Sequence, residues 1–204
     1  MLKDSIKFIL KNSIIFALVS LGFSIIGALF PESEFTFVIG NPLIVSSVTY
    51  EHVLGHIFWG AIIGLGTLSI RYIILGGSFA ILLDADHLLQ FLDIELVSRM
   101  SHSIPFAVIA SVIFLIIFRG KELRVSAISF AAVLAHLAFD IFLAGAAHDS
   151  GTRFPLFSPF YLGTIEFSGL DWIGIQIIGV CVVAIVSYVV KRKGIHIQSN
   201  FTKT

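Results

Sequence analysis

Six apolar runs alternate with short polar breaks along the chain. The first covers 12–30 and is closed by Pro31, Glu32 and Glu34; the second runs from about 53 to 70 and stops at Arg71. A third covers 72–92 and gives way to Asp93 and Glu95, and a fourth, 103–118, is closed by Arg119, Lys121 and Arg124. The fifth spans about 125–145, and the last, 171–190, ends at Lys191, Arg192 and Lys193. Each run is close to the roughly 20 residues a helix needs to cross hydrocarbon, so the pattern predicts an all-α, polytopic membrane bundle of about six transmembrane helices. Glycines within the runs (Gly60, Gly64, Gly66, Gly76, Gly77, Gly174, Gly179) suit membrane helices that approach one another closely. Only Arg71 and Tyr72 separate the second run from the third.

The stretch 145–170, GAAHDSGTRFPLFSPFYLGTIEFSGL, is too polar and glycine-rich for a further span, and Pro155 and Pro159 resist regular helix. With Phe154, Phe157, Phe160 and Tyr161 it reads as an aromatic loop at the outer interface, equally suited to be a lid for an amphiphilic substrate or an inert anchor.

Composition agrees with the pattern. Of 204 residues, 57% are hydrophobic and 13% are Asp, Glu, Lys or Arg, about half the usual charged share of a soluble domain. So few charges cannot cover a soluble surface, and the length permits one transmembrane domain over 1–204. The formal net charge is zero, and the basic groups at the two ends are the size of membrane-orienting signals, not of a nucleic-acid footprint. Across six crossings the basic loops (the amino end, Arg71, Arg119–Arg124, the carboxyl end) fall on one side, which predicts both termini in the cytoplasm. The first run is expected to be retained as a span, since no convincing cleavage site follows it. Cys181 stands alone in an apolar run, so disulfides and cysteine-based metal sites are excluded.

The run ILLDADHLLQFLD, 81–93, breaks the apolar rule with Asp84, Asp86 and His87. On the expected topology His52 and His56 open the second helix on the outer side, His102 opens the fourth, His136 and Asp140 lie in the fifth, and His148 follows in the outer loop. Six of the seven histidines thus belong to the outer half, and only His196, in the tail, lies elsewhere. His52/His56 and His136/Asp140 are i,i+4 pairs, each on one helical face, and Asp84/His87 are i,i+3. Asp86 would lie about 200° round a regular helix from Asp84, so either the helix is distorted there or Asp86 supports a ligand or arginine from behind. Ionisable groups this far into a bundle mark a functional interior.

A divalent cation would neutralise such a set. Imidazole nitrogen and carboxylate oxygen suit Zn2+, with Mn2+ or Fe2+ as alternatives, in one or two ions. The expected ligands are His56, Asp84, His87, His102, His136 and Asp140, within a core of residues 50–160. His52 competes with His56 for one position, and His148 is a further candidate. Arg99, one turn before His102, is placed to grip a phosphate or developing oxyanion, and Asp86 or Asp84 to act as general base. The alternative is that the same His and Asp side chains merely pair with one another and pack the bundle.

The motifs EHVLGH (51–56), LLDADHLL (82–89), SRMSHS (98–103), HLAFD (136–140) and GTRFPLFSP (151–159) together resemble the membrane-bound metal-dependent hydrolase family typified by the bacterial LexA-regulated inner-membrane protein. The resemblance implies a multi-pass protein that hydrolyses with a bound metal. It would give Asp84, Asp86 and His87 the DxDH role, His102 the histidine of the HS pair, and His136 and Asp140 the later ligand pair. Two positions depart from the pattern. Leu83 replaces the proline that usually precedes the first aspartate, and Ser98 stands where a histidine often precedes the arginine, which removes one possible ligand.

Together these readings favour a metal-dependent hydrolase at the outer leaflet, with a membrane lipid as partner and a lipid ester or phosphoester as the bond cleaved. The competing classes are a non-catalytic protein with a structural metal and a metal or ion transporter, which would carry polar residues through both halves of the membrane. An intramembrane metalloprotease fits less well, since HVLGH at 52–56 has no glutamate between its histidines.

Overall fold

A computed structural model describes residues 2–30, 39–46, 48–92, 97, 99–147 and 152–193, with backbone alone at 145–147 and Thr152. Pro31, Glu32, Glu34, Asp93, Glu95, Ser98, His148, Asp149 and His196 fall outside the described residues. The helices are α1 (Leu2–Ile25), α2 (Pro42–Val45), α3 (Tyr50–Gly64), α4 (Ile70–Leu82), α5 (Ile104–Ile117), α6 (Leu123–Ala147) and α7 (Asp171–Arg192). Tight 310 segments extend α1 over Ile26–Leu29, α3 over Leu65–Thr67 and α4 over Leu83–Phe91.

The chain is an all-α, multi-spanning membrane bundle, but the expectation of about six crossings is corrected. Among the described residues four helical stretches are long and apolar enough to cross: Leu2–Leu29, Ile70–Phe91, Leu123–Ala144 and Asp171–Arg192. Hydropathy overcounted because it measures apolar residues, not unbroken helix. α5 has 14 residues, about 21 Å at 1.5 Å per residue against some 30 Å of hydrocarbon, and α3, with 15 residues and a three-residue 310 turn, carries Glu51, His52 and His56 in its opening turns. Capping fixes these lengths. Thr49 Oγ1 accepts from His52 N (3.3 Å) to start α3, and beyond its 310 turn Leu68 adopts φ 54° and stops it. Ser103 Oγ accepts from Phe106 N (3.3 Å) to start α5, and Arg119 (φ 49°) and Gly120 (φ 71°) turn the chain into α6. At the other extreme α1 begins before the apolar run, because Lys3, Lys7 and Lys11 ride exposed on its first turns.

α6 is the central helix. Its apolar window is 72% buried, against 28% for α7, and its alanines (Ala131, Ala132, Ala135, Ala138) let α3, α4, α5 and α7 close around it. A stack of phenylalanines ties α1 and α5 to α4: Phe16 lies 4.4 Å from Phe79 and 5.9 Å from Phe106, and Phe79 lies 5.3 Å from Phe114. α3 and α4 meet backbone to backbone. A β-carbon on Gly60 would strike the carbonyl oxygen of Gly76, and one on Gly76 would strike that of Gly60.

Alternating helix direction sorts the side chains between two ends. The start of α3, the end of α4 with its 310 segment, the start of α5 and the carboxyl half of α6 share one end. The other end holds Arg71, whose guanidinium donates to Tyr72 Oη (2.8 Å), which in turn donates to Glu122 Oε2 (2.7 Å). Ten of the described Lys and Arg residues lie at or toward that second end; Arg99 and Arg153 belong to the first.

The 145–170 stretch contains a small antiparallel hairpin, β1 (Thr152–Phe154) with β2 (Ile165–Phe167), pairing Arg153 with Glu166. Phe154 is fully buried beneath it, while Phe157, Phe160 and Tyr161 are exposed. The Leu156 carbonyl accepts from Ile104 N (2.9 Å), which pins this segment to the start of α5.

Substituting Gly76 by Val should force α3 from α4 and lower stability by about 1–3 kcal/mol or more. Gly22→Ala, where nothing lies within 4 Å of an added β-carbon, should leave it unchanged or slightly raised. Thermal midpoints of the detergent-solubilised proteins check the contrast.

Candidate metal centre

At the first end of the bundle, five imidazoles from four segments close on one carboxylate. His52 and His56 project from the first two turns of α3, and His136 and Asp140 from one face of α6. Asp84 and His87 come from the 310 segment after α4, and His102 from the turn before α5. The 310 geometry explains the DADH spacing. At three residues per turn Asp84 and His87 eclipse, while Asp86 is turned a third of a turn away, toward Ser101 and His102. Both options left open by the sequence therefore hold: the helix is distorted, and Asp86 meets a neighbouring segment.

The Nε2 atoms all face Asp84. His52 lies 3.2 Å and His56 3.5 Å from Asp84 Oδ2, while His136 lies 3.3 Å, His87 3.5 Å and His102 3.5 Å from Asp84 Oδ1. Asp140 closes the set, with Oδ1 3.3 Å from His56 Nε2 and Oδ2 3.6 Å from His136 Nε2. The His56 and His136 rings stack at 3.7 Å, so their Nε2 atoms point the same way. Both α3 histidines face the cluster, where the sequence had them competing for one position; their Nε2 atoms are 3.0 Å apart.

Hydrogen bonds behind the rings fix which nitrogen is free. His136 Nδ1 lies 2.8 Å from the Ala80 carbonyl oxygen, which can only accept, so Nδ1 carries the proton and donates. Its Nε2 is buried without a hydrogen-bond partner and aims into the cluster. Gln90 donates through Nε2 to Ser46 Oγ, and its Oε1 faces His87 Nδ1 at 3.3 Å. Ser101 Oγ donates to Asp86 Oδ2 (3.3 Å), and the same carboxylate oxygen faces His102 Nδ1 at 3.6 Å. Three imidazoles thus have acceptors behind Nδ1 and present Nε2 to the centre, the arrangement that orients histidines toward a metal.

The separations bear on the competing reading, in which these side chains only pair with each other. Charge-assisted hydrogen bonds between imidazolium and carboxylate are ~2.7–2.9 Å long. The contacts to Asp84 run from 3.2 to 3.5 Å. Donor atoms bound at ~2.05 Å to one tetrahedral zinc are ~3.3 Å apart, and that spacing matches. Donor atoms of four triads lie within 4.8 Å of one another: His52/His56/Asp140, His56/Asp84/His136, His102/His136/Asp140 and Asp84/Asp86/His87. The donors, their spacing and the orphaned Nε2 of His136 fit a divalent cation.

Exposure differs across the set. His87 and His52 are the most open, at 21% and 19% of the side chain, while Asp86 is at 1%. Arg99, in the left-handed region (φ 59°), lies over the Phe154 ring at 4.8 Å. Sequence reading missed three supports: Gln90, Ser101 and the Ala80 carbonyl. Gln90, three residues after His87, and Ser101, beside His102, carried a spacing signal; a backbone carbonyl 56 residues from its histidine carries none.

Compared with family models, curated proteins and solved structures, the chain matches none. The geometry therefore stands on its own as a buried His/Asp cluster able to hold a metal in a helical membrane protein.

Gln90→Leu removes no donor from the cluster but frees the His87 ring. It should weaken cation affinity about 10–100-fold, read as zinc lost to a graded chelator series, with the fold intact by circular dichroism.

Proposed function

We propose that the protein is a metal-dependent hydrolase of lipid ester or phosphoester bonds, acting at the outer leaflet with both termini in the cytoplasm. The observation that carries the reading is the convergence of five Nε2 atoms on the Asp84 carboxylate, 3.2–3.5 Å away, at one end of a membrane bundle. The orientation is supported by the basic residues gathered at the opposite end, which the positive-inside rule would hold in the cytoplasm.

His56, Asp84, His87, His102, His136 and Asp140, joined by His52, hold the cation, Zn2+ in the first instance. When bound it supplies Lewis acidity and an acidified water at neutral pH. The chain does the rest. Asp86 has the role of orienting His102, since its near-complete burial keeps it from meeting substrate water. Asp140, at 12% exposure, is the more accessible carboxylate and takes the proton of the attacking water. Arg99, held against Phe154 in the turn before His102, offers a planar fork to the oxygens of the group under attack. The exposed Phe157, Phe160 and Tyr161 set an amphipathic rim where acyl chains would lie.

This arrangement favours an enzyme over a purely structural metal, because His52, His87 and Asp140 keep part of their side chains exposed, 19%, 21% and 12%. A structural site is closed on all sides by its ligands. The transporter reading gains less support. The end opposite the cluster carries the Arg71–Tyr72–Glu122 network, and among the described residues no second His/Asp cluster lies there.

Asp84→Ala and His136→Ala should each lower bound metal by at least tenfold and abolish turnover of membrane lipids. Metal analysis and lipid product profiling of the purified proteins against the unmodified chain check this. Full metal content in both variants would overturn the ligand assignment, and metal without turnover of any lipid class would favour the structural reading.

A further inference from the structure

The donor set is too large for one ion. Five imidazole nitrogens and four oxygens of Asp84 and Asp140 face the centre. A divalent cation of this ligand chemistry takes four to six donors. The donors also divide. His52 and His56 address Asp84 Oδ2, whereas His87, His102 and His136 address Asp84 Oδ1. Asp140 repeats the division, with Oδ1 toward His56 and Oδ2 toward His136. Two of the close triads, His52/His56/Asp140 and Asp84/Asp86/His87, share no residue.

We infer that the cluster holds two divalent cations bridged by Asp84, and that the bond it hydrolyses is a phosphate ester. The first cation takes His52, His56, Asp84 Oδ2 and Asp140 Oδ1. The second takes His87, His102, His136 and Asp84 Oδ1, with Asp140 Oδ2 at its edge. The stacked His56 and His136 rings put one imidazole from each set side by side, so the two ions are neighbours. A carboxylate bridge of this kind sets cations ~3.5–4 Å apart, the separation at which two ions clamp the attacking and leaving oxygens of a phosphoryl group. Two dications facing two ionised carboxylates leave a net positive charge, which suits an anionic substrate.

The substrate clause rests on the hydrolase reading above; the two-cation clause does not. In the reaction the oxygen of water forms a new bond to phosphorus and its proton passes to Asp140. The bond from phosphorus to the alcohol oxygen breaks, and that oxygen takes the same proton from Asp140 and leaves as the free alcohol. No oxidant or reductant is needed. The phosphate ester could belong to a lipid headgroup or to a soluble metabolite, and the chemistry at phosphorus is the same for both.

The test uses the full chain purified in detergent and loaded with Mn2+. Elemental analysis should give two equivalents per chain, and electron paramagnetic resonance should show an exchange-coupled pair instead of isolated ions. His52→Gln should fall to one equivalent and lose the coupling while His136→Gln loses most of both. One equivalent at saturation, or two uncoupled ions in the unmodified chain, overturns the bridge and leaves the hydrolase reading standing; no bound metal overturns both. Activity is then compared on phosphatidic acid in mixed micelles, p-nitrophenyl phosphate and p-nitrophenyl butyrate. Phosphate release from the micellar lipid at least tenfold above the soluble phosphoester identifies a headgroup, and the reverse a soluble ester. Turnover of the butyrate with neither phosphate cleaved overturns the substrate clause.

Discussion

An ionised carboxylate inside an apolar bundle is the constraint that organises this molecule. An aspartate at the centre of a membrane helix costs about 2.5–3.5 kcal/mol by insertion, and an unpaired charge in a dry interior far more. Asp84, with 8% of its side chain exposed, is surrounded by five imidazoles drawn from α3, the α4 extension, the turn before α5, and α6. Those same segments are where the helices are short, tightened or broken. The 310 geometry of Leu83–Phe91 brings Asp84 and His87 onto one line. The end of α3 at Gly64 and the start of α5 at Ile104 keep two helices shorter than the hydrocarbon core. Regular spanning helices would have served the membrane better and the cluster worse.

Close packing at the other levels supports the same centre. Gly60 against Gly76 holds α3 on α4, and this sets His52 and His56 beside Asp84. The alanines of α6 let it sit in the middle of the bundle, so that one turn, from His136 to Asp140, reaches the cluster from the side opposite the α4 extension. His136 is held from behind by the carbonyl of Ala80 near the end of α4, where the helix tightens and its carbonyls become available to side chains. The distorted backbone and the oriented ring are thus one feature. The phenylalanine stack packs α1, α4 and α5 together, the Arg71–Tyr72–Glu122 network lies at the other end, and the His/Asp cluster belongs to one end alone among the described residues.

A cluster of this kind also explains the uneven distribution of charge. Basic residues collect at the opposite end. At the cluster's end carboxylates and imidazoles dominate, and the two arginines there are each engaged: Arg99 on the Phe154 ring, and Arg153 with Glu166 across the hairpin at 3.2 Å. The hairpin segment is joined to the start of α5 through Leu156, and its aromatic tip is exposed.

The sequence by itself determined the solvent of this protein and the chemistry it carries. A charged share of 13% and repeated apolar runs allow only a membrane bundle, and DADH, HVLGH and HLAFD, at helical spacings inside apolar runs, announce a polar interior. Helix limits were readable where the breaks are strong, as at Arg119–Gly120 and Lys191. What only the tertiary structure decided is how many helices are long enough to cross, because a hydropathy run does not reveal a 310 tightening or a capped short helix. It also decided which atoms meet. Spacing along a strand of sequence puts His52 and His56, or Asp84 and His87, on one face, but whether those faces point at each other depends on helix rotation and on a glycine contact between α3 and α4. The division of five histidines between the two oxygens of Asp84 follows from that contact, and no one-dimensional pattern encodes it.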